Sequence, residues 1–128
     1  VPNGLEVIVG SKYDPEFGPV ILFGLGGIFA EVLRDVAIRV APVSEDQAME
    51  MINQIRGSAL LKGFRGKPPA DVEALLRILM TFSRILIDYL EVYELEINPL
   101  LVLGKGQGCV VVDGRIRFNQ IASNIDGK

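Results

Sequence analysis

Val92-Tyr93-Glu94-Leu95-Glu96-Ile97-Asn98-Pro99-Leu100-Leu101-Val102-Leu103 runs into Gly104-Lys105-Gly106-Gln107-Gly108 and then into Cys109-Val110-Val111-Val112-Asp113-Gly114-Arg115-Ile116-Arg117-Phe118. Two β-rich runs around a glycine-rich turn predict a hairpin. Side chains alternate faces along a strand. Tyr93, Leu95 and Ile97 therefore share one face, and Glu94, Glu96 and Asn98 the other. In the return run, Val110, Val112, Ile116 and Phe118 are expected on one face, with Asp113, Arg115 and Arg117 opposite. Setting Leu103 against Gly108 pairs Asn98 with Asp113, Glu96 with Arg115 and Glu94 with Arg117. Opposite charges then meet along the polar face, which favours this register. A slip of one residue would turn Asp113 into the apolar face, a costly burial. The expectation is a hairpin with one face on a core and one polar face.

That polar face offers hard oxygen ligands. Mg²⁺ commonly takes one or two protein carboxylates or amide oxygens and completes its shell with phosphates and water. Asn98 and Asp113 are the candidate metal pair, and Arg115 is placed to meet a phosphate beside the metal. By spacing alone the same pattern also describes a solvated strand face laced with ion pairs, the commoner case.

Composition narrows the function classes. The 128 residues suit one domain, and 49% are apolar, enough for a core. Thirteen basic residues face 16 acidic ones for a net charge of −3, without a basic cluster, so nucleic acid is not an expected partner. No signal-peptide pattern is present, and the longest apolar pattern, Leu75–Leu90, is broken by Arg77, Arg84 and Asp88, so no membrane partner is expected. The single cysteine, Cys109, forms no internal disulfide; it reads as a structural strand residue and fits a cytoplasmic location. The absence of histidine excludes a His-based triad, His-ligated zinc and a phosphohistidine on this chain. A start at Val1, close to a strand and without methionine, fits a lobe of a longer protein.

Before the hairpin, Leu5–Gly10 reads as a strand, Ser11–Pro19 as a turn and Val20–Phe23 as a short buried strand. Gly24-Leu25-Gly26-Gly27 invites a phosphate-loop reading. It lacks the third glycine of the dinucleotide fingerprint, where Phe29 stands, and the Gly-Lys-Ser/Thr of a P-loop. These glycines are therefore expected to allow close backbone approach more than to bind phosphate. Residues 28–35 fit strand or helix, with strand favoured, and Val36–Ala41 is a further strand ended by Pro42. Ser44 with Gln47 forms a capping box, and Ala48, Met51, Ile52 and Ile55 make the buried stripe of the helix that follows. Gly57 closes it. The loop Lys62–Pro69 carries three positive charges. Asp71 caps the longest helix, whose stripe is Val72, Leu75, Leu76, Leu79, Phe82, Leu86 and Leu90. About six strands and two main helices predict an α+β fold, a mostly antiparallel sheet with helices packed on one face.

Gly4–Gly10, Asp14–Val20, Phe23–Gly27, Arg65–Pro69 and Glu94–Leu100, taken together, resemble the ATP-grasp domain of ADP-forming acyl-CoA (acetyl-CoA) synthetases. Glu96–Leu100 and Asp113–Arg115 also resemble, more distantly, the β subunit of succinyl-CoA synthetase. The resemblance spans almost the whole chain, with several motifs in order. It implies two α+β lobes clasping ATP, with residues 1–118 as the C-terminal lobe and 119–128 as a polar tail or linker. The implied partners, not matched within this chain, are the N-terminal lobe, with the base-binding hinge and a phosphate-binding lysine, and CoA-binding and ligase domains bearing the phosphorylated histidine. The resemblance assigns Mg²⁺ on the nucleotide phosphates to Asn98 and Asp113, and Arg115 and Glu96 to the ATP/ADP cofactor.

The implied chemistry is phosphoryl transfer that links acid, CoA and ATP to acyl-CoA, ADP and phosphate. This chain would contribute positioning and charge neutralisation, without a covalent catalytic residue. The 128-residue stretch alone is expected to fold without synthesising acyl-CoA. Two competing functions fit the same residues. One is the acyl-CoA synthetase-like regulatory region of a protein lysine acetyltransferase. The other is a non-catalytic interaction module.

Overall fold

The computed structural model describes residues 4–26, 35–63, 66 and 68–118. Six strands and three helices occur among them: β1 (Leu5–Asp14), β2 (Gly18–Leu25), β3 (Val36–Val40), α1 (Glu45–Gln54), α2 (Ser58–Leu61), α3 (Val72–Asp88), β4 (Val92–Val102), β5 (Cys109–Val111) and β6 (Gly114–Phe118). All strand pairs are antiparallel, in the order β3-β2-β1-β4-β5, and β6 also pairs with β4. The helices lie on one face, with α1 against β3 and α3, and α3 against β2 and β4. This is the expected α+β architecture. No helix among the described residues is long and apolar enough to cross a membrane.

The core forms where the strand alternation meets the helical stripes. Val7 and Val9 of β1, Ile21 and Phe23 of β2 and Leu100 of β4 are fully buried against Met51 and Ile52 of α1 and Leu75 and Leu79 of α3. Ser44 caps α1 as anticipated: its Oγ accepts from Gln47 N–H at 3.1 Å, and Gln47 Oε1 accepts from Ser44 N–H at 2.9 Å. At the start of α3, Asp71 Oδ1 accepts from Ala74 N–H at 3.2 Å. Ser83, fully buried in α3, accepts from Val43 N–H at 2.9 Å and donates to Met80 O at 3.0 Å, joining α3 to the segment that enters α1.

Several expectations need correction. The span read as a turn over Ser11–Pro19 is mostly strand: Lys12 pairs with Val20 and Asp14 with Gly18. The turn shrinks to Pro15–Phe17 because Asp14 Oδ1 accepts from the N–H groups of Glu16 and Phe17 at 2.8 and 3.0 Å. Leu90 lies past the end of α3 and is 69% exposed, so it is not part of the buried stripe. The return run of the hairpin is two strands, β5 and β6, instead of one. Most of the segment left open between strand and helix, residues 28–34, lies outside the described residues, as do Gly27 and the tail 119–128.

Candidate functional site

The predicted hairpin register is present. Leu95 pairs with Ile116, Glu96 with Arg115 and Glu94 with Arg117. Leu103 N–H donates to Gly108 O at 2.9 Å at the turn, where Gly106 and Gly108 adopt φ values of +83°, a region that favours glycine. The two charge pairs form: Arg117 Nε lies 3.3 Å from Glu94 Oε1, and Arg115 Nη1 lies 3.9 Å from Glu96 Oε1. The arginines are exposed and the glutamates partly so, so the pairs select register more than they add stability.

The predicted register ends at Glu94–Arg117, because a register shift between Val92 and Glu94 sets Val92, and not Tyr93, opposite Phe118 and leaves Tyr93 exposed. The expected assignment of faces also fails beyond Asn98. Val9 pairs with Ile97 and Val7 with Leu100, so the single residue Ile8 stands opposite both Asn98 and Pro99. This is a β-bulge, and the Asn98–Pro99 peptide within it is cis. An extra residue reverses the alternation. Leu95 and Ile97 face the core before the bulge, and Leu100 and Val102 after it. On the return strands, Cys109 and Val111 pair with Val102 and Leu100, and Cys109 packs on the core. Val110 pairs instead with Leu101 on the opposite side, so it does not share a face with Ile116. Nor is the return run a buried layer: all five residues of β6 are exposed. The sequence signal for the bulge was Pro99 itself, since proline inside a central strand marks an irregularity.

The bulge sets the level of the candidate metal pair. The return run leaves regular strand geometry at Val112 and Asp113, between β5 and β6. Across this gap Val112 N–H donates to Pro99 O at 3.1 Å, and Asn98 N–H donates to Asp113 O at 2.9 Å. Asn98 and Asp113 are thus adjacent at the level where both strands are irregular, and both are exposed. Among the described residues no group of three or more His, Cys, Asp or Glu could hold a metal ion. The donor set is an amide and a carboxylate. It fits Mg²⁺, which takes few protein ligands and completes its shell with phosphate and water, and not a closed cage of protein ligands.

Beside this level the helix-free face of the sheet holds a shallow depression of about 160 Å³. Ile8, Gly10, Leu22 and Val36 line it together with Ser11, Glu94 and Glu96. Ser11 shapes it, because its Oγ accepts from Leu95 N–H at 2.8 Å where the β1–β4 ladder ends. A Cβ on Gly10 would meet nothing within 4 Å, so the missing side chain leaves part of this space open. Sequence reading did not find this depression, which is assembled from four strands.

Gly24 and Gly26 allow close backbone approach. A Cβ on Gly24 would lie 2.7 Å from Asp35 O, so only glycine lets β3 come this close. A Cβ on Gly26 would lie 3.1 Å from Glu6 Cβ, and Gly26 N–H donates to Glu6 O at 2.9 Å. Cys109 is half-buried, and burial pushes its thiol up to about 11, which keeps it protonated and unreactive near neutrality.

An antiparallel sheet is covered by helices on one face and carries carboxylates and arginines on its open face, and the chain belongs to the ATP-grasp domain family, whose sequence model matches residues 1–118. It is 49% identical over 115 residues to the β subunit of acetate–CoA ligase [ADP-forming] II of Pyrococcus furiosus, a match covering 88% of this chain and 48% of that one. To the 4-hydroxybutyrate–CoA ligase [ADP-forming] of Nitrosopumilus maritimus it is 46% identical over 116 residues, 91% of this chain and 17% of that one. Among solved structures, it superposes with a TM-score of 0.87 and 44% identity on an acetyl-coenzyme A synthetase of Ca. Korarchaeum cryptofilum. That protein is in complex with coenzyme A and Mg-AMPPCP, with its phosphohistidine segment pointing towards the nucleotide binding site. The superposition covers 93% of this chain and 55% of that one. The chain therefore spans about half the length of the Pyrococcus furiosus β subunit and 17% of the Nitrosopumilus maritimus ligase.

Proposed function

We propose that this chain is the C-terminal lobe of the ATP-grasp domain of an ADP-forming acyl-CoA synthetase, and that it binds Mg²⁺-nucleotide on the open face of its sheet. The observation that carries the reading is the adjacency of Asn98 and Asp113 at the bulge, flanked by the Glu96–Arg115 pair and the depression. The Mg²⁺ and coenzyme A complex of the 44%-identical synthetase supports it.

In this reading Asn98 and Asp113 hold Mg²⁺, which when bound neutralises phosphate charge. The Arg115 guanidinium meets a phosphate oxygen, and Glu96 orients that guanidinium while contacting the nucleotide. Ile8, Leu22 and Val36 supply an apolar floor, which suits the uncharged part of a nucleotide. None of these residues forms a covalent intermediate. Catalysis by this lobe is positioning and charge neutralisation of a phosphoryl group in transit. The chain has no histidine, so the phosphoryl-accepting histidine belongs to another segment or subunit, as do the CoA-binding elements and the other lobe. The overall reaction interconverts acid, CoA and ATP with acyl-CoA, ADP and phosphate.

The test is Asp113→Ala in the complete protein, titrated with Mg²⁺-ATP in a calorimeter. Loss of binding with an unchanged unfolding midpoint is the expected outcome. Equal binding by wild type and variant would overturn the site.

A further inference from the structure

Asp71 does more than cap α3. Its Oδ1 accepts from Ala74 N–H, the ordinary cap, while its Oδ2 accepts from Gly108 N–H at 2.7 Å, 37 residues away. Gly108 is the last residue of the hairpin turn before β5. Other bonds from the α3 entry reach only the outgoing side of that turn: Asp71 N–H to Leu103 O at 2.8 Å, Lys105 N–H to Pro69 O at 3.0 Å, and the bridge of Ala70 with Gly104. Among the hydrogen bonds of the described residues, the Asp71 carboxylate is what ties the returning strand to the helix layer.

The returning strand has little else to hold it. β5 has three residues, of which Val110 and Val111 are exposed, and every residue of β6 is exposed. Cys109 alone packs on the core. The position of Asp113 thus depends on the ladder to β4, two exposed ion pairs and the anchored turn. Asp71 is itself 8% exposed and accepts from two backbone donors, so its carboxylate has little freedom to move.

We infer that Asp71 is a positioning residue for the Mg²⁺-nucleotide site: by holding Gly108 it sets the path of β5 and, through it, the placement of Asp113 against Asn98. The inference rests on the reading of the Asn98–Asp113 site given above. Loss of the residues that orient metal ligands typically costs about 10- to 100-fold in metal affinity. Asp71 acts over a longer path than a direct contact, and a loss of about tenfold, the low end of that range, is expected.

The clean variant is Asp71→Ser, which keeps a capping hydroxyl for Ala74 and is too short to reach Gly108 as well. Asp71→Ala is the second variant, removing both bonds. Both are made in the complete protein beside Asp113→Ala, and Mg²⁺-AMPPCP binding is measured with AMPPCP alone as the comparison. Exchange of the Asn98 amide hydrogen, which is bonded to Asp113 O, reports the site geometry directly. Positioning predicts that Asp71→Ser weakens Mg²⁺-AMPPCP about tenfold, leaves metal-free AMPPCP binding nearly unchanged and speeds Asn98 exchange. A purely structural Asp71 would lower the unfolding midpoint and leave affinity and Asn98 exchange as in wild type, and that result overturns the inference. If Asp113→Ala also binds Mg²⁺-AMPPCP like wild type, the site reading itself fails. If Asp113→Ala loses binding and Asp71→Ser does not, the role of Asp71 alone fails.

Discussion

Gly10→Val separates the fold from the binding face. Gly10 sits inside β1, paired with Leu22 and Glu96, and its φ lies outside the left-handed region. A Cβ there meets nothing within 4 Å, so a valine needs no backbone movement. Glycine in a strand interior costs about 0.5–1 kcal/mol against alanine, and a β-branched residue improves on alanine within a scale spanning about 1 kcal/mol. The variant is therefore expected to be about 1 kcal/mol more stable than the parent. The added methyl groups project into the depression of about 160 Å³ that Gly10 helps to line. Overfilling a fitted apolar space costs about 1–3 kcal/mol, which corresponds to roughly 5- to 150-fold weaker nucleotide binding. Urea unfolding of the 128-residue chain reads the first effect, and calorimetric titration of Mg²⁺-AMPPCP into the complete protein reads the second. Opposite signs are the signature. A variant that binds nucleotide like wild type would show that the depression is not part of the site. One destabilised by more than about 1 kcal/mol would show that the strand is not open at Gly10.

Two further outcomes follow from buried polar groups. Ser83→Ala leaves Val43 N–H buried without its acceptor, which costs about 1–3 kcal/mol, measured as a lower urea midpoint with an unchanged slope. Hydrogen bonds from Gly108 N–H, and then Ala74 N–H, lower the Asp71 carboxyl below its ordinary value. A lowered folded value contributes stability that is complete above the unfolded value of about 3.9 and is lost as pH falls through the folded one. Stability measured from pH 6 downward should therefore fall less steeply below about pH 4 in Asp71→Asn than in the parent; identical acid limbs would refute the assignment.

Much of the local structure was legible from residue order alone. The capping box of Ser44 and Gln47, the cap at Asp71 and the stripes of α1 and α3 follow from contacts between residues three or four apart, which sequence spacing encodes directly. The hairpin register was legible for a similar reason. Glu94, Glu96, Arg115 and Arg117 lie at the same spacing on two runs joined by a short turn, so one pairing satisfies all the charges. Asn98 and Asp113 came out as neighbours from that same register.

Other features belong to the tertiary structure. Which face Cys109 and Val111 present depends on the bulge at Asn98–Pro99, and that bulge is defined by pairing with β1, some 90 residues away. Exposure of Ile116 and Phe118 reflects where the helix layer ends, which the alternation of an edge strand does not encode. Asp71 looked like a cap and nothing more, because its second oxygen finds Gly108 only after the hairpin folds back onto the start of α3. Buried Ser83 and the depression around Gly10 have the same origin. Each is made by groups far apart along the chain, and packing alone brings them together.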